Sequence, residues 1–215
     1  MYYVSVFSVL FPVIAGIILF RRIDLNSRVV VLLMLCCSAP QLAAFFIDNK
    51  HDVWKFFNLY TVADAVGWGY IFFKNSRQPL IRIIIRSVVS LQVLSAIYIF
   101  TRGGLGVRFY YEYVCLNSLL ETVWVMCFFY EYYMSENIES FERQSMFWFC
   151  LGILIYSPTT YFLFVFYDKV KVSVFPEYAN LWTIHSSLNA CMYFAFTIGI
   201  LIGTKKLSNP AHDTR

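Results

Sequence analysis

Charge is what this sequence has least of. Only 14% of its 215 residues are Asp, Glu, Lys or Arg, while 60% are hydrophobic and 20% aromatic. A soluble domain ordinarily carries about 25% charged residues. Too few polar side chains are present to cover one apolar core, which excludes an ordinary water-soluble domain and leaves lipid as the partner of the outward-facing side chains. Histidine is scarcer still. His51, His185 and His212 fall in a loop, an apolar stretch and the last residues, so they are not expected to converge on a metal ion as the ligands of a seven-helix metal hydrolase would. The sequence is read as no enzyme, with no metal and no cofactor. Cysteine is confined to the apolar stretches: Cys36, Cys37, Cys115, Cys127, Cys150 and Cys191 show no zinc-ligand spacing and read as small buried hydrophobes. The net charge of +4 requires no nucleic-acid partner.

Long apolar runs are plentiful. A spanning helix takes roughly 20 mostly apolar residues, and seven such stretches fill most of the chain: 3–20, 28–47, 55–73, 81–101, 109–133, 145–167 and 180–203. A run such as Arg82–Phe100 lacks the alternation of a membrane β-strand, so the expected fold class is all-α, a polytopic transmembrane bundle of seven helices. Short connections imply antiparallel neighbours. The first stretch has no Lys or Arg before it, and Arg21 and Arg22 directly after it, the reverse of a secretory signal, so it is read as an uncleaved first helix. Arg21, Arg22, Arg28, Lys74, Arg77, Arg82, Arg143, Lys205 and Lys206 lie in one set of connections. Lys50, Lys55, Arg102, Arg108, Lys169 and Lys171 lie in the other. The positive-inside rule then expects the N-terminus outside and the C-terminus in the cytoplasm of a plasma membrane. The dozen residues after Gly203 are expected to hold no output domain.

The first three stretches look like the last three. Asn58-Leu59-Tyr60-Thr61-Val62 matches Asn180-Leu181-Trp182-Thr183-Ile184, and Ser38-Ala39-Pro40-Gln41 matches Tyr156-Ser157-Pro158-Thr159. Tyr3-Val4 and Ser8 match Tyr113-Val114 and Ser118, so the offset grows from 110 to 118 to 122 and only loop insertions are needed. A single domain over 1–215 is expected: one repeat at 1–75, a linker helix at 81–101, a second, parallel repeat at 109–203 and a tail at 204–215. Weak internal symmetry of this kind is how transporter repeats show themselves. The plan resembles the three-plus-one-plus-three architecture of SWEET and PQ-loop transporters and of microbial rhodopsins. The resemblance to the transporters implies hinge prolines in helices one, two, five and six. Pro12, Pro40 and Pro158 stand at three of these places, and Thr122 at the fourth. The Pro40-Gln41 pair looks like a PQ motif placed in the second helix of its repeat. A rhodopsin would need a Schiff-base lysine inside the last helix, where none occurs before Lys205, so retinal is excluded.

Acids inside a bilayer cost about 2.5–3.5 kcal/mol each on insertion scales and generally face the bundle interior. Asp64 and Glu121 are the two deepest. Tyr113, Asn117 and Glu121 share one helical face, as do Trp182, His185 and Asn189. With Gln41 and Tyr60 they make the candidate ligand-binding set, gathered in the outer half of the membrane: Asp64, Glu121, Asn117, His185, Asn189, Gln41, Tyr60 and Trp182. Asn58 and Asn180 read also as helix caps, and Arg86, one turn after Arg82, as a residue that snorkels to the surface. The favoured expectation is transport of an unidentified small molecule through an outward-side polar pocket. The alternative is a stimulus-sensing subunit that signals through a separate cytoplasmic partner bound at Glu131–Glu142. A homo-oligomer is compatible with either.

Overall fold

The computed structural model describes residues 7–135, 141–166 and 177–205. Among them are seven α-helices, a 3-10 turn at Phe141–Arg143 and no strand. The helices are α1 (Leu10–Leu19), α2 (Leu25–Phe46), α3 (Lys50–Asn75), α4 (Pro79–Gly103), α5 (Tyr111–Tyr133), α6 (Ser145–Val165) and α7 (Glu177–Lys205). The fold of the described residues is all-α, as expected from long apolar runs without strand alternation.

Five helices combine the length and apolarity of a membrane span: α2, α4, α5, α6 and α7. They carry many exposed Leu, Ile and Phe side chains, a surface that water does not tolerate over large contiguous areas, and they point to a membrane protein. The seven expected crossings are thus matched by five. The ten residues of α1 make about 15 Å of helix, and residues 3–6 of the expected first span lie outside the described residues. The 26 residues of α3 are long enough, but Asp52, Lys55, Asn58 and Asp64 dilute its apolar character.

Local chemistry sets the helix ends. Asn49 caps α3 by accepting the His51 amide at 3.1 Å. Lys55 lies 2.6 Å from the exposed Asp52 and holds its carboxyl below the usual range, first through their hydrogen bond and then through charge. Pro79 opens α4 at the position where a missing N–H costs least. Gly104 closes α4 with φ of 79°, a left-handed cap natural to glycine. Asp24 precedes α2 and accepts the Ser27 amide at 2.7 Å, an N-cap.

The helices form two compact units. The first holds α1, α2 up to Leu35, and the chain from Asn137 onward. Within it α6 runs along α7, and α1 also packs on α7. Two phenylalanines are exchanged between α6 and α7. Phe149 of α6 lies over Gly199, where an added Cβ would come within 2.6 Å of its ring. Phe196 of α7 lies over Gly152, at 2.7 Å by the same measure. The two rings meet edge to face at 5.9 Å, and both are buried. Small residues that admit a large side chain from the partner are how apolar helices associate without a hydrophobic drive. At the start of α6, Ser145 Oγ donates to Asp24 at 2.8 Å, joining the beginnings of α2 and α6.

The second unit spans Cys36–Glu136 and holds the end of α2 with α3, α4 and α5. There α3 packs on both α4 and α5, with Trp68, Ile71, Phe72, Ile85, Trp124 and Val125 buried. These units divide the chain differently from the expected repeats, since the second contains α3, α4 and α5 together.

Pro40 and Pro158 lie inside α2 and α6, which continue through them. Each removes one backbone donor. After Pro158, Thr160 turns its hydroxyl to the Tyr156 carbonyl at 3.0 Å. Pro12 is buried in the first turn of α1, and the helix is interrupted at Val9, three residues before it. Thr122, the residue in the fourth proline position, keeps its helix regular and donates to Ser118 O at 2.8 Å.

Candidate functional site

The polar centre of the second unit is built from α3 and α5. Helical spacing puts Tyr60 and Asp64 one turn apart on α3, and Tyr113, Asn117 and Glu121 on one stripe of α5. Asn117 sits between the two acids. Its side-chain amide donates to Asp64 Oδ2 and to Glu121 Oε1, both at 2.9 Å. Tyr60 donates its hydroxyl to Asp64 Oδ1 at 3.2 Å, and Asp64 also interacts with Glu121 and Trp68. Asn117 and Glu121 are buried, whereas Tyr60 and Asp64 are half-buried. Asn117 and Glu121 are thus the inner members of the cluster, and Asp64 and Tyr60 its less deeply buried ones. One turn before Asn117, the Tyr113 hydroxyl donates to Gln92 O of α4 at 2.7 Å, tying α4 to the same α5 face.

Gln41, at the end of α2, donates to Cys37 of its own helix at 3.5 Å. His185 and Asn189 belong to the first unit. His185 stacks with Tyr156 at 5.1 Å between ring centroids and meets the edge of Phe164 at 6.4 Å, and Asn189 is buried one turn on. The side chain of Trp182 lies outside the described residues. Among the described residues no group of three or more His, Cys, Asp or Glu is placed to hold a metal ion.

Two readings are corrected. Asn58 does not cap a helix, because α3 begins eight residues earlier, at Lys50. Its amide donates to Leu105 O at 2.8 Å and Arg108 O at 2.9 Å, and its carbonyl accepts the Tyr110 amide at 3.2 Å. It thereby fastens the α4–α5 loop to α3. Asn180 likewise lies inside α7, which begins at Glu177. The second correction concerns Glu131 alone, the first residue of the acidic segment expected at Glu131–Glu142. Glu131 is buried. It accepts Ser76 Oγ at 2.8 Å, the Arg77 amide at 2.9 Å and the Gln78 amide at 3.1 Å, so it serves the α3–α4 turn and is no part of an exposed acidic surface. Glu136 and Glu139 lie outside the described residues, and Glu142 is exposed.

Compared with known proteins, the chain matches no family model, no curated protein and no solved structure.

Proposed function

We propose that the chain is a multi-pass membrane transporter for a small molecule, and that the Asp64–Asn117–Glu121 cluster is its proton-handling centre. The observation that carries this reading is the single Asn117 amide hydrogen-bonded to two carboxyl groups on different helices. Two acids this close, in apolar surroundings, disfavour a double negative charge. The pair is inferred to hold one exchangeable proton, and its route out is inferred to run past the half-buried Tyr60, which donates to Asp64. A cation or protonated solute that approaches Asp64 would displace that proton. The helix-interior prolines Pro40 and Pro158 support the same reading, since they leave the backbone of α2 and α6 short of donors. The three-plus-one-plus-three plan, the plasma-membrane location and the N-outside orientation belong to this reading, and a fusion reporter at each end of the chain tests the orientation.

The function itself is tested with the full chain in proteoliposomes that enclose a pH-sensitive dye. A panel of small organic cations, sugars and amino acids is added under an imposed proton gradient. The expected result is solute-dependent proton movement that is abolished in Glu121→Gln and in Asp64→Asn. A folded, reconstituted protein that moves neither proton nor solute overturns transport. Solute binding without flux would transfer the same cluster to the sensing alternative.

A further inference from the structure

We propose that the start of α4 carries a binding site for an anionic phospholipid. The need arises from the turn between α3 and α4, where the second unit presents a groove of about 310 Å³ lined by Phe73, Pro79, Arg82, Ile83, Arg86 and Ser87. That volume is at the lower end of small-molecule sites, roughly 300–1,000 Å³. Two of the six lining residues are arginines and none is an acid.

The arginines are held in place. Arg82 donates its Nε to Ser76 O at 2.7 Å, which fixes the guanidinium at the mouth of the turn and leaves its terminal N–H groups to a ligand. Arg86, one turn on, lies over the Phe73 ring at 5.6 Å, a cation–π contact that orients the head while leaving its edge open. Both arginines are exposed. Planar guanidinium groups on a rigid helix suit the oxygens of a phosphodiester, which they grip in pairs.

The surface beyond the groove selects the occupant. From Ile83 the α4 face runs through Ser87 to Leu91 and Leu94, at helical spacing, and all four side chains are exposed. Only 17% of the α4 window is buried, against 39–44% for the other four spans, so this helix offers its flank to lipid. A site with cations at the helix start and an apolar stripe leading into the membrane matches the polarity of a lipid, with headgroup first and acyl chain after. Free phosphate would use the arginines but not the stripe. The inference needs the membrane setting and is independent of transport.

The test is native mass spectrometry of the full chain in neutral detergent, with equal amounts of phosphatidylglycerol and phosphatidylcholine of the same acyl chains. Each interfacial cation favours an anionic lipid by about fivefold, so the expected phosphatidylglycerol preference is about 30-fold for the two together. Arg86→Gln should cut it about fivefold, and R82Q/R86Q should bring it near unity. Arg86→Lys should retain most of it, and the R21Q/R22Q pair at the end of α1 should leave it unchanged. Arg86→Gln makes no demand on the turn, since of the two arginines it is Arg82 that bonds to Ser76, so loss of fold does not obscure the result. A preference that survives R82Q/R86Q overturns the site, as does an equal loss in R21Q/R22Q. Removal of the preference by millimolar inorganic phosphate would assign the arginines to a soluble anion. A species of twice the chain mass that carries no lipid and is lost in Ile83→Asn would assign the face to a second copy.

Discussion

Glu131→Ala is expected to be among the most damaging single truncations of a polar side chain in the second unit. The carboxyl accepts three hydrogen bonds, from Ser76 Oγ, Arg77 N and Gln78 N, at 2.8–3.1 Å. The two amides stand at the start of α4, where no intrahelical acceptor exists for them. Ser76 and Glu131 are both buried, so truncation leaves donors stranded instead of returning them to water. Each bond to such an acceptor contributes about 1–2 kcal/mol, and a stranded buried donor adds to the loss. Arg77 and Gln78 are exposed and their amides can recover water, which limits the total to about 3–5 kcal/mol. Glu131→Gln retains one oxygen, which can still serve Ser76 and Gln78, and should cost about 1–2 kcal/mol. Ser76→Ala should cost about 1 kcal/mol, and exposed Glu142→Ala less than about 0.5 kcal/mol. The assay is unfolding of the purified chain in mixed micelles followed by helical circular dichroism. A double-mutant cycle between Glu131→Ala and Ser76→Ala should return a coupling of about 1 kcal/mol. The reasoning is refuted if Glu131→Ala and Glu142→Ala unfold alike.

Asn58→Ala removes all three contacts to the α4–α5 loop and should destabilise that loop by about 2–3 kcal/mol. Hydrogen exchange at the Tyr110 amide should accelerate correspondingly, and unchanged protection there would sink the clamp. Gly199→Ala should cost about 1–3 kcal/mol by overpacking, because the new Cβ would meet the Phe149 ring at 2.6 Å and Ser145 O at 3.1 Å. Pairing it with Phe149→Leu should recover part of that loss in thermal unfolding, and a loss that simply adds to that of Phe149→Leu would show that the ring is not the obstacle.

The length of the apolar runs made the helices legible. Each of the seven expected stretches has a helix on it, because apolar composition and short polar breaks are properties of the chain itself. The ends were less so. The spans were counted by apolarity, and α3 extends from Lys50 to Asn75, beyond the 55–73 stretch, because capping by Asn49 sets its start. The α5 stripe was legible too: spacing of four put Tyr113, Asn117 and Glu121 on one face, and all three are buried. What spacing could not say is that Asn117 would stand between the two acids. That depends on the rotation of α3 against α5, which side-chain packing decides. The exchange of Phe149 and Phe196 over Gly199 and Gly152 was likewise hidden, since each glycine is explained only by a ring on another helix.

Glu121 and Glu131 make the limit plain. They lie on the same helix and are both buried, only 6% and 7% exposed. Depth along the span marked the first as interior, while the second, at the helix end and followed by Glu136, Glu139 and Glu142, read as part of an acidic surface. The difference is that Glu121 is buried by its position within its own helix, and Glu131 by where another helix begins. Pro79 supplies the missing cue. A proline at the first position of a helix fixes its start and leaves the preceding amides in need of an acceptor. When that start follows a short turn and an acid closes the neighbouring span, the acid and the amides can be read together as one buried contact. The same logic joins Asp24 to Ser145 at the starts of α2 and α6. Acids at span ends in this chain are therefore better read against the helix starts beside them than against their own neighbours in sequence.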